Sequence, residues 1–579
     1  MSVNSLLPAI FLSLLLSVTA SAQTTWDSLS SGEHSFKTLG EKFYIDVPVR
    51  EIKDAEVRLA FVDRKQVAAL GLTLPEDPRE VEALLKHLFA YEVDPTGTST
   101  KKWFATHYLD SSEKGPGHAM GDGRALWTGE LQIKNNDGNI TYVDAVEKGV
   151  GITPFAWTKN ASHSNGEQYV DELVHSGLES MVVQRNKLDG TSDMIGFSIF
   201  KNGKWKSMTL RVGKQTRPAH IKYHFDDPEA EARLMDYLIR RDLGMPMDAP
   251  VTKVRFAEWE RNFARNNGEQ TARFYDLLGF QEAPTAGNKT SSGGAIDLNG
   301  IRFFDAYHGE FKHLYGRLAL KEQVDLQKPY IELINGWLKS AKYKYLDQTF
   351  NKSMDGYFDR AFRRTLIQLR LSRLGLSTKD AAWIISSNYA VASSVSDAAD
   401  ALQNAVNEDI AVKIYPYEQT IKPAAFDIRK ILRSTMKILS ENSNTDRSEE
   451  IFVNTRDWAG LPAGKYEDLK KNYVNAVRNL VKTFDGVKPN WISNAEKITK
   501  IERPDQMRED FRLKYVERIY KLIENGAGWE AVSNLMDEAS NSVADEHVLN
   551  PQATSKNSLN ALVRANRGGM CKELFSVAN

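Results

Sequence analysis

The pattern of apolar and polar positions changes period along the chain. Two strand-like runs, Leu126 to Lys134 and Ile140 to Val146, flank Asn135-Asn136-Asp137-Gly138, a composition that predicts a hairpin turn. Upstream, residues 43–75 mix short β-rich runs with a helical stretch. Asp54 to Leu72 reads as strand, turn and helix, the helix ending at Gly71. From about residue 165 to 186 the spacing is helical, and Met194 to Phe200 and Lys206 to Val212 are two further strands meeting at Asn202-Gly203. This half of the chain is therefore expected to be β-rich around one helix.

The change to helical spacing is marked by Asp227-Pro228-Glu229. Asp227 is a good N-cap, Pro228 suits the first helical position, and Glu229 and Glu231 favour the positive end of the helix dipole. Leu234, Tyr237, Leu238 and the stem of Arg241 then follow at helical intervals. A second helix is expected from about Phe256 to Leu278, before Gly279, and residues 284–294 form a polar break. After about residue 330 the pattern is largely helical, with Asp355 to Leu374 stopped by Gly375 and Asp505 to Glu524 ending before Gly526. No internal repeat is present.

The first 22 residues differ from the rest. An apolar run from Leu6 to Val18 ends in Thr19-Ala20-Ser21-Ala22, the small-x-small pattern of a signal cleavage site, so the protein is expected to be exported, periplasmic or secreted. The run is shorter than the roughly 20 residues a bilayer span needs, so no stable membrane anchor is expected. Lys plus Arg number 75 and Asp plus Glu 76, a near-neutral balance that argues against a nucleic-acid partner. A single cysteine, Cys571, excludes an internal disulfide and a multi-cysteine zinc site. Asn-x-Ser/Thr triplets occur at Asn139, Asn160, Asn288 and Asn351, and matter only where secreted proteins are glycosylated.

Two short segments carry candidate chemistry. Gly121-Asp122-Gly123-Arg124 is a tight turn feeding a strand, and by itself is also an ordinary hairpin turn. Lys148-Gly149-Val150-Gly151-Ile152-Thr153-Pro154 follows a strand; a lysine flanked by glycines can reach a phosphate that the backbone approaches closely, although a solvated loop lysine has the same residues. Neither is a Walker A motif. Taken together and in order, Gly121 to Ala125, Gly129-Glu130 and Lys148 to Phe155 resemble the selenoprotein-O (SelO) family, in which a Gly-Asp-Gly-Arg turn and a Gly-Glu pair precede Lys-Gly-Ala-Gly-Leu-Thr-Pro-Tyr. Val47 to Leu72, Pro218-Ala219-His220-Ile221-Lys222, the Asp297–Asp305 spacing and Asn550-Pro551 to Leu574 are similar to further family segments; residues 380–545 match it poorly.

The resemblance implies an α+β, bilobal protein-kinase-like fold with a helical C-terminal extension. After the signal peptide 1–22, its parts would be a β-rich N-lobe 23–215, a helical C-lobe 216–440 and a helical region 441–579. It implies protein adenylylation (AMPylation): transfer of AMP from ATP to Ser, Thr or Tyr hydroxyls of a protein substrate, with Mg²⁺ or Mn²⁺. By resemblance Lys148 is the phosphate-binding lysine, with Glu172 as its partner and Asp171 as the alternative. Gly121, Asp122, Gly123 and Arg124 belong to the ATP site. Arg211 matches the first phosphate-binding arginine, and Lys222 stands where the second is expected, with Arg217 as the alternative. Asn288 and Asp297 match the metal pair, an oxygen set suited to a hard cation, and glycosylation of Asn288 would exclude that role.

The sequence departs from the family where the general base belongs. That position is Gly287, which cannot take a proton, and Glu282 is the nearby carboxylate. The family's cysteine or selenocysteine near the C-terminus is also absent, Cys571 lying in another segment. Besides an adenylyltransferase, the residues therefore fit a catalytically impaired nucleotide-binding pseudoenzyme or protein-binding module and, less well, a kinase transferring the γ-phosphate.

Overall fold

The computed structural model describes residues 26–108, 121–134, 139–156, 166–224, 226–276, 289–296, 342, 350–414, 428–440, 448–452, 464, 466–484, 491 and 512–542. Residues 1–22, expected as a signal peptide, residues 135–138, expected as a hairpin turn, and Glu282, Gly287, Asn288, Asp297 and Cys571 lie outside them.

The first half builds one antiparallel sheet of eight strands: β1 (Tyr44–Glu51), β2 (Val57–Val62), β3 (Tyr91–Val93), β4 (Lys102–Thr106), β5 (Ala125–Lys134), β6 (Ile140–Lys148), β7 (Ser192–Lys201) and β8 (Lys204–Gly213). Their spatial order is β2-β7-β8-β6-β5-β4-β1-β3. The two expected hairpins form. β5 pairs with β6 from Ala125↔Lys148 to Lys134↔Ile140. β7 and β8 meet at Asn202-Gly203, where both residues have positive φ, 53° and 74°, as a tight twisted hairpin turn requires.

Among the described residues this half carries α1 (Arg64–Ala69), where the helix ending at Gly71 was expected, α2 (Pro78–Phe89), which was not expected, and α3 (Val170–Arg185), within the helical stretch expected from about 165 to 186. The helix overlooked in the pattern, α2, opens as the recognised one does. Asp77 accepts from Arg79 N at 2.8 Å and Pro78 takes the first position. Strands β3 and β4 were also missed, since runs of three and five residues leave little periodicity to read.

The helical half begins with α4 (Pro218–Tyr223), α5 (Pro228–Asp242) and α6 (Lys253–Asp276). Asp227 caps α5 by accepting from Ala230 N at 3.0 Å. It continues with α7 (Phe350–Arg373), α8 (Thr378–Ser387), α9 (Tyr389–Ile414), α10 (Ile428–Ser440) and α11 (Glu467–Phe484). A π-helical turn Arg512–Val516 then leads into α12 (Glu517–Glu524) and α13 (Trp529–Ser542). The whole is an α+β fold. Among the described residues no helix is long and apolar enough to cross a membrane.

The sheet is covered on both faces. One face packs Leu126, Val143, Ala145 and Leu210 against Val67 of α1 and Val81, Leu85 and Phe89 of α2. The other packs Phe104, Trp127 and Val146 against Leu234 and Leu238 of α5 and Trp259 and Phe263 of α6. Each such buried side chain contributes about 1.5–3 kcal/mol of transfer free energy. Helices α7 to α11 enclose a separate core around Leu371, Leu402, Leu432 and Tyr473. Region 441–579 is therefore divided: α11 belongs to that core, whereas α12 and α13 return to the sheet and bury Ile519, Val532 and Met536 against α3 and Phe61.

Candidate functional site

The two glycine-bearing segments singled out in the sequence lie side by side. Gly149 N donates to Arg124 O at 2.8 Å, Thr153 N donates to Gly123 O at 3.2 Å, and Thr153 Oγ1 donates to Asp122 O. Two of the glycines are required by close approach. A Cβ on Gly121 would lie 2.0 Å from Thr106 O, and one on Gly149, at φ 89°, would lie 2.4 Å from Ser207 O.

Asp122 holds this arrangement together from within. It is 6% exposed, and its Oδ2 accepts from Thr106 N at 2.8 Å, Thr106 Oγ1 at 2.6 Å and Trp127 Nε1 at 2.9 Å. Burial pushes its carboxyl up, against the pull of these donors and of Arg217. Asp122 is thus engaged with β4 and β5. His220 of α4 joins the same network, its Nε2 3.2 Å from Thr106 Oγ1, and burial beside Arg217 brings its pKa down to about 3.

At the end of β6, Lys148 Nζ donates to Glu172 Oε1 at 2.6 Å. Arg124 forks onto the same carboxylate, its Nη atoms 2.7 and 2.9 Å from Oε1 and Oε2, and also reaches Glu167 O at 2.8 Å. Glu172 stands in the first turn of α3, so a strand end, a turn and a helix start converge on one carboxylate. Burial raises its pKa, but Lys148 and Arg124 overbalance that and bring it down to about 2. The side chains of Lys148, Glu172 and Arg124 retain 9%, 15% and 17% exposure, so the cluster has an edge open to solvent. Two cations thus converge on one carboxylate at an edge open to solvent, a place where an anionic ligand can be met by positive charge. Asp171, the alternative partner, is exposed beside it and accepts from Glu172 N at 2.9 Å.

Arg211 lies on the Lys148 face of the sheet, since β8 pairs Arg211 with Val146 and Thr209 with Lys148. Its guanidinium is 3% exposed and donates through Nε to Asp193 Oδ1 at 2.8 Å, while Ser176 Oγ donates to Asp193 Oδ2. It is committed to a buried ion pair joining β8, β7 and α3. Lys222 is half-buried on α4, and Arg217 lays its guanidinium 4.7 Å over the Tyr108 ring.

Of the stretch carrying the expected metal residues, 289–296 is described, and Asn288 and Asp297 at its two ends are not. It is a closed turn bolted to the sheet. Ala295 bridges to Gly190, Ser291 N donates to Thr216 O at 2.8 Å, and Ser291 Oγ meets Asp242 Oδ1 at 3.2 Å. Lys214 Nζ donates to the same Asp242 oxygen at 2.9 Å. Burial lowers Lys289 to about 8 and raises Asp189. The turn meets the chain just past the Gly213 end of β8, four positions along from Thr209, which pairs with Lys148.

Two groups of ionisable residues went unread in the sequence. His34, Glu130 and Asp144 place ligand atoms within 4.8 Å of one another, a donor set able to hold a metal. Arg241 inserts between the two carboxylates, bonding Glu130 Oε2, Asp144 Oδ1 and Tyr237 Oη. The signal was the Gly129-Glu130 pair together with an arginine on the apolar face of α5, where only its stem was assigned to packing. The second is Glu147, next to Lys148 but on the opposite face: it is 0% exposed, and neither carboxylate oxygen has a hydrogen-bond partner among the described residues. Burial, with Asp193 nearby, pushes its pKa well above the usual carboxylate range.

No family model matches the sequence, and no curated protein matches it.

Proposed function

We propose that the chain is a divergent SelO-like protein adenylyltransferase on a protein-kinase-like fold, binding ATP with Mg²⁺ or Mn²⁺ and moving AMP to a protein hydroxyl. The observation that carries this reading is the ion pair between Lys148 at a strand end and Glu172 on the helix that follows. Protein kinases hold ATP phosphates with a lysine on the third strand, paired to a glutamate on the next helix. Counted from β4, Lys148 ends the third strand, and α3 is the next described helix. The neighbouring order β7-β8-β6-β5-β4 keeps the lysine strand central, as that role needs.

In the proposed step an acceptor oxygen attacks the α-phosphorus of ATP, the bond to the bridging oxygen breaks, and pyrophosphate leaves. The acceptor's proton passes to solvent or to a carboxylate, since Gly287 cannot receive it. Lys148 and Arg124, both anchored on Glu172, supply positive charge fixed before the ligand arrives, which is where such sites gain most. Asn288 and Asp297 are the proposed metal ligands. General-base help is worth roughly 10²–10⁴-fold, so its loss slows transfer without removing the contribution of charge and positioning. By the same reading the mature protein is exported after loss of 1–22.

A second reading, a nucleotide-binding pseudoenzyme, is favoured by one observation: Arg211, the expected phosphate ligand, is spent on Asp193. Intact-mass measurement of the full chain with ATP and Mn²⁺ separates the two. Gain of AMP, lost in Asp297→Ala and Glu172→Gln, supports transfer. Metal-dependent ATP binding with no adduct supports the pseudoenzyme. Gain of phosphate identifies a kinase, and absence of any nucleotide binding refutes both nucleotide readings.

A further inference from the structure

The helix that carries Glu172 is gripped from outside by a segment more than 300 residues further along. From Ser176 to Val183, α3 has no exposed position. One flank rests on the sheet, and the other is covered by residues 512–542, where Ile519, Ile523, Val532, Leu535 and Met536 bury against Leu173, Val174, Leu178 and Met181. The fit depends on Gly177, since a Cβ there would stand 2.8 Å from both Met536 Cε and Phe61 Cζ. Glycine inside a helix costs about 1 kcal/mol relative to alanine, so its presence marks a demand for close approach.

Polar ties fix the same contact. Arg185, at the far end of α3, donates to Asp537 Oδ1 at 2.9 Å and to Asp63 Oδ1 at 3.1 Å. Ser533 Oγ accepts from Val62 N at 2.8 Å, and Lys65 Nζ lies 3.0 Å from Asp537 Oδ1. At its other end α3 has no side-chain cap among the described residues, Tyr169 providing none. The residues before the first turn are tied to β8, Ser207 N donating to Gln168 O and Ser207 Oγ to Tyr169 O, each at 2.8 Å, so the height of the turn is set by these ties together with packing along the helix.

We infer that residues 512–542 are a positioning element for the Glu172–Lys148 pair: Met536 seated on Gly177 and Asp537 held by Arg185 set the height of α3, and through it whether Glu172 reaches Lys148. The functional meaning of this positioning rests on the nucleotide-binding reading above; the mechanical link does not.

The test follows Lys148 directly. The full chain is treated with an amine-acylating reagent, and labelling rates of individual lysines are mapped by mass spectrometry, with exposed Lys204 as internal reference. Glu172→Gln is the positive control, since it removes the negative charge that pairs with Lys148. Gly177→Ala and Asp537→Ala are expected to raise Lys148 labelling at least threefold relative to Lys204, and Asp537→Glu to return it towards wild type. ATP affinity in the presence of Mn²⁺ should fall in parallel. Asp537 is part-exposed, so its variants retain the fold even where Gly177→Ala does not. Unchanged Lys148 labelling in Asp537→Ala, with a clear response in Glu172→Gln, overturns the inference. If labelling responds but wild type binds no ATP, the positioning stands and the functional reading fails. If ATP binding depends on Glu172 but not on Asp537, the reverse holds.

Discussion

Glu147 offers a test of how the sheet tolerates charge next to the candidate site. Its carboxyl group is wholly buried between Leu126 and Leu210 of the adjacent strands, with both oxygens lacking a hydrogen-bond partner among the described residues. An unsatisfied buried polar group costs about 1–3 kcal/mol. Methionine matches glutamate in length and approximate volume and fills irregular gaps, so Glu147→Met is expected to raise stability by about that amount near neutral pH. The sign with pH follows from the raised pKa. Above the ordinary carboxylate value of 4.5 the unfolded chain gives up a proton that the folded protein keeps, so wild type loses stability as pH rises. The advantage of Glu147→Met should therefore grow between pH 5 and pH 8. Urea unfolding at both pH values measures it as a higher midpoint with an unchanged slope. A variant less stable than wild type at pH 8, or a gain that does not grow with pH, would refute the reasoning. Because Glu147 faces away from Lys148, labelling of Lys148 should be unaffected.

Three further outcomes are expected. Glu172→Gln removes the anion shared by Lys148 and Arg124 and should cost about 3 kcal/mol in urea unfolding at pH 7; in wild type the stabilisation from this carboxylate is lost as pH falls from about 4.5 towards about 2. Buried His220, lowered to about 3, stays neutral in the folded protein while the unfolded chain takes up a proton below about 6.5, so stability should fall with acid across that window, and His220→Gln should flatten the decline in a pH series of unfolding midpoints. Asp77→Ala and Asp227→Ala each remove one helix cap and should each lower stability by about 1 kcal/mol, additively in the double variant because the caps serve different helices.

What could be read in the sequence was local. The β5–β6 and β7–β8 hairpins, the start of α5 at Asp227-Pro228 and the stop of α7 before Gly375 are all written within a few residues. The order of strands is not. β2 pairs with β7, matching Val57 with Ile199, and no nearby residue announces it. Helix α2 carries at Asp77-Pro78 the same Asp-Pro signature that identified α5 and was still overlooked. At the candidate site, the closeness of Lys148 and Glu172 was expected from the SelO resemblance, whereas Arg124 sharing that carboxylate was not. The burial of Asp122 and the capture of Arg211 by Asp193 depend on partners 16 and 18 residues away across strands, so only folding brings them together.

The bond from Val62 to Ser533 spans 471 residues. It has a consequence for how the protein is made. A nascent chain can close its hairpins as they emerge, but the outer side of α3 and the edge strand β2 remain uncovered until the stretch 512–542 has been synthesised. Long loop closure slows such a step, and uncovered apolar surface and an open strand edge invite association with other chains meanwhile. The order of events along the ribosome thus leaves the complete set of strands without its cover for most of translation. Fragments ending before residue 512 should be collected by chaperones or aggregate, even though they contain every strand of the sheet.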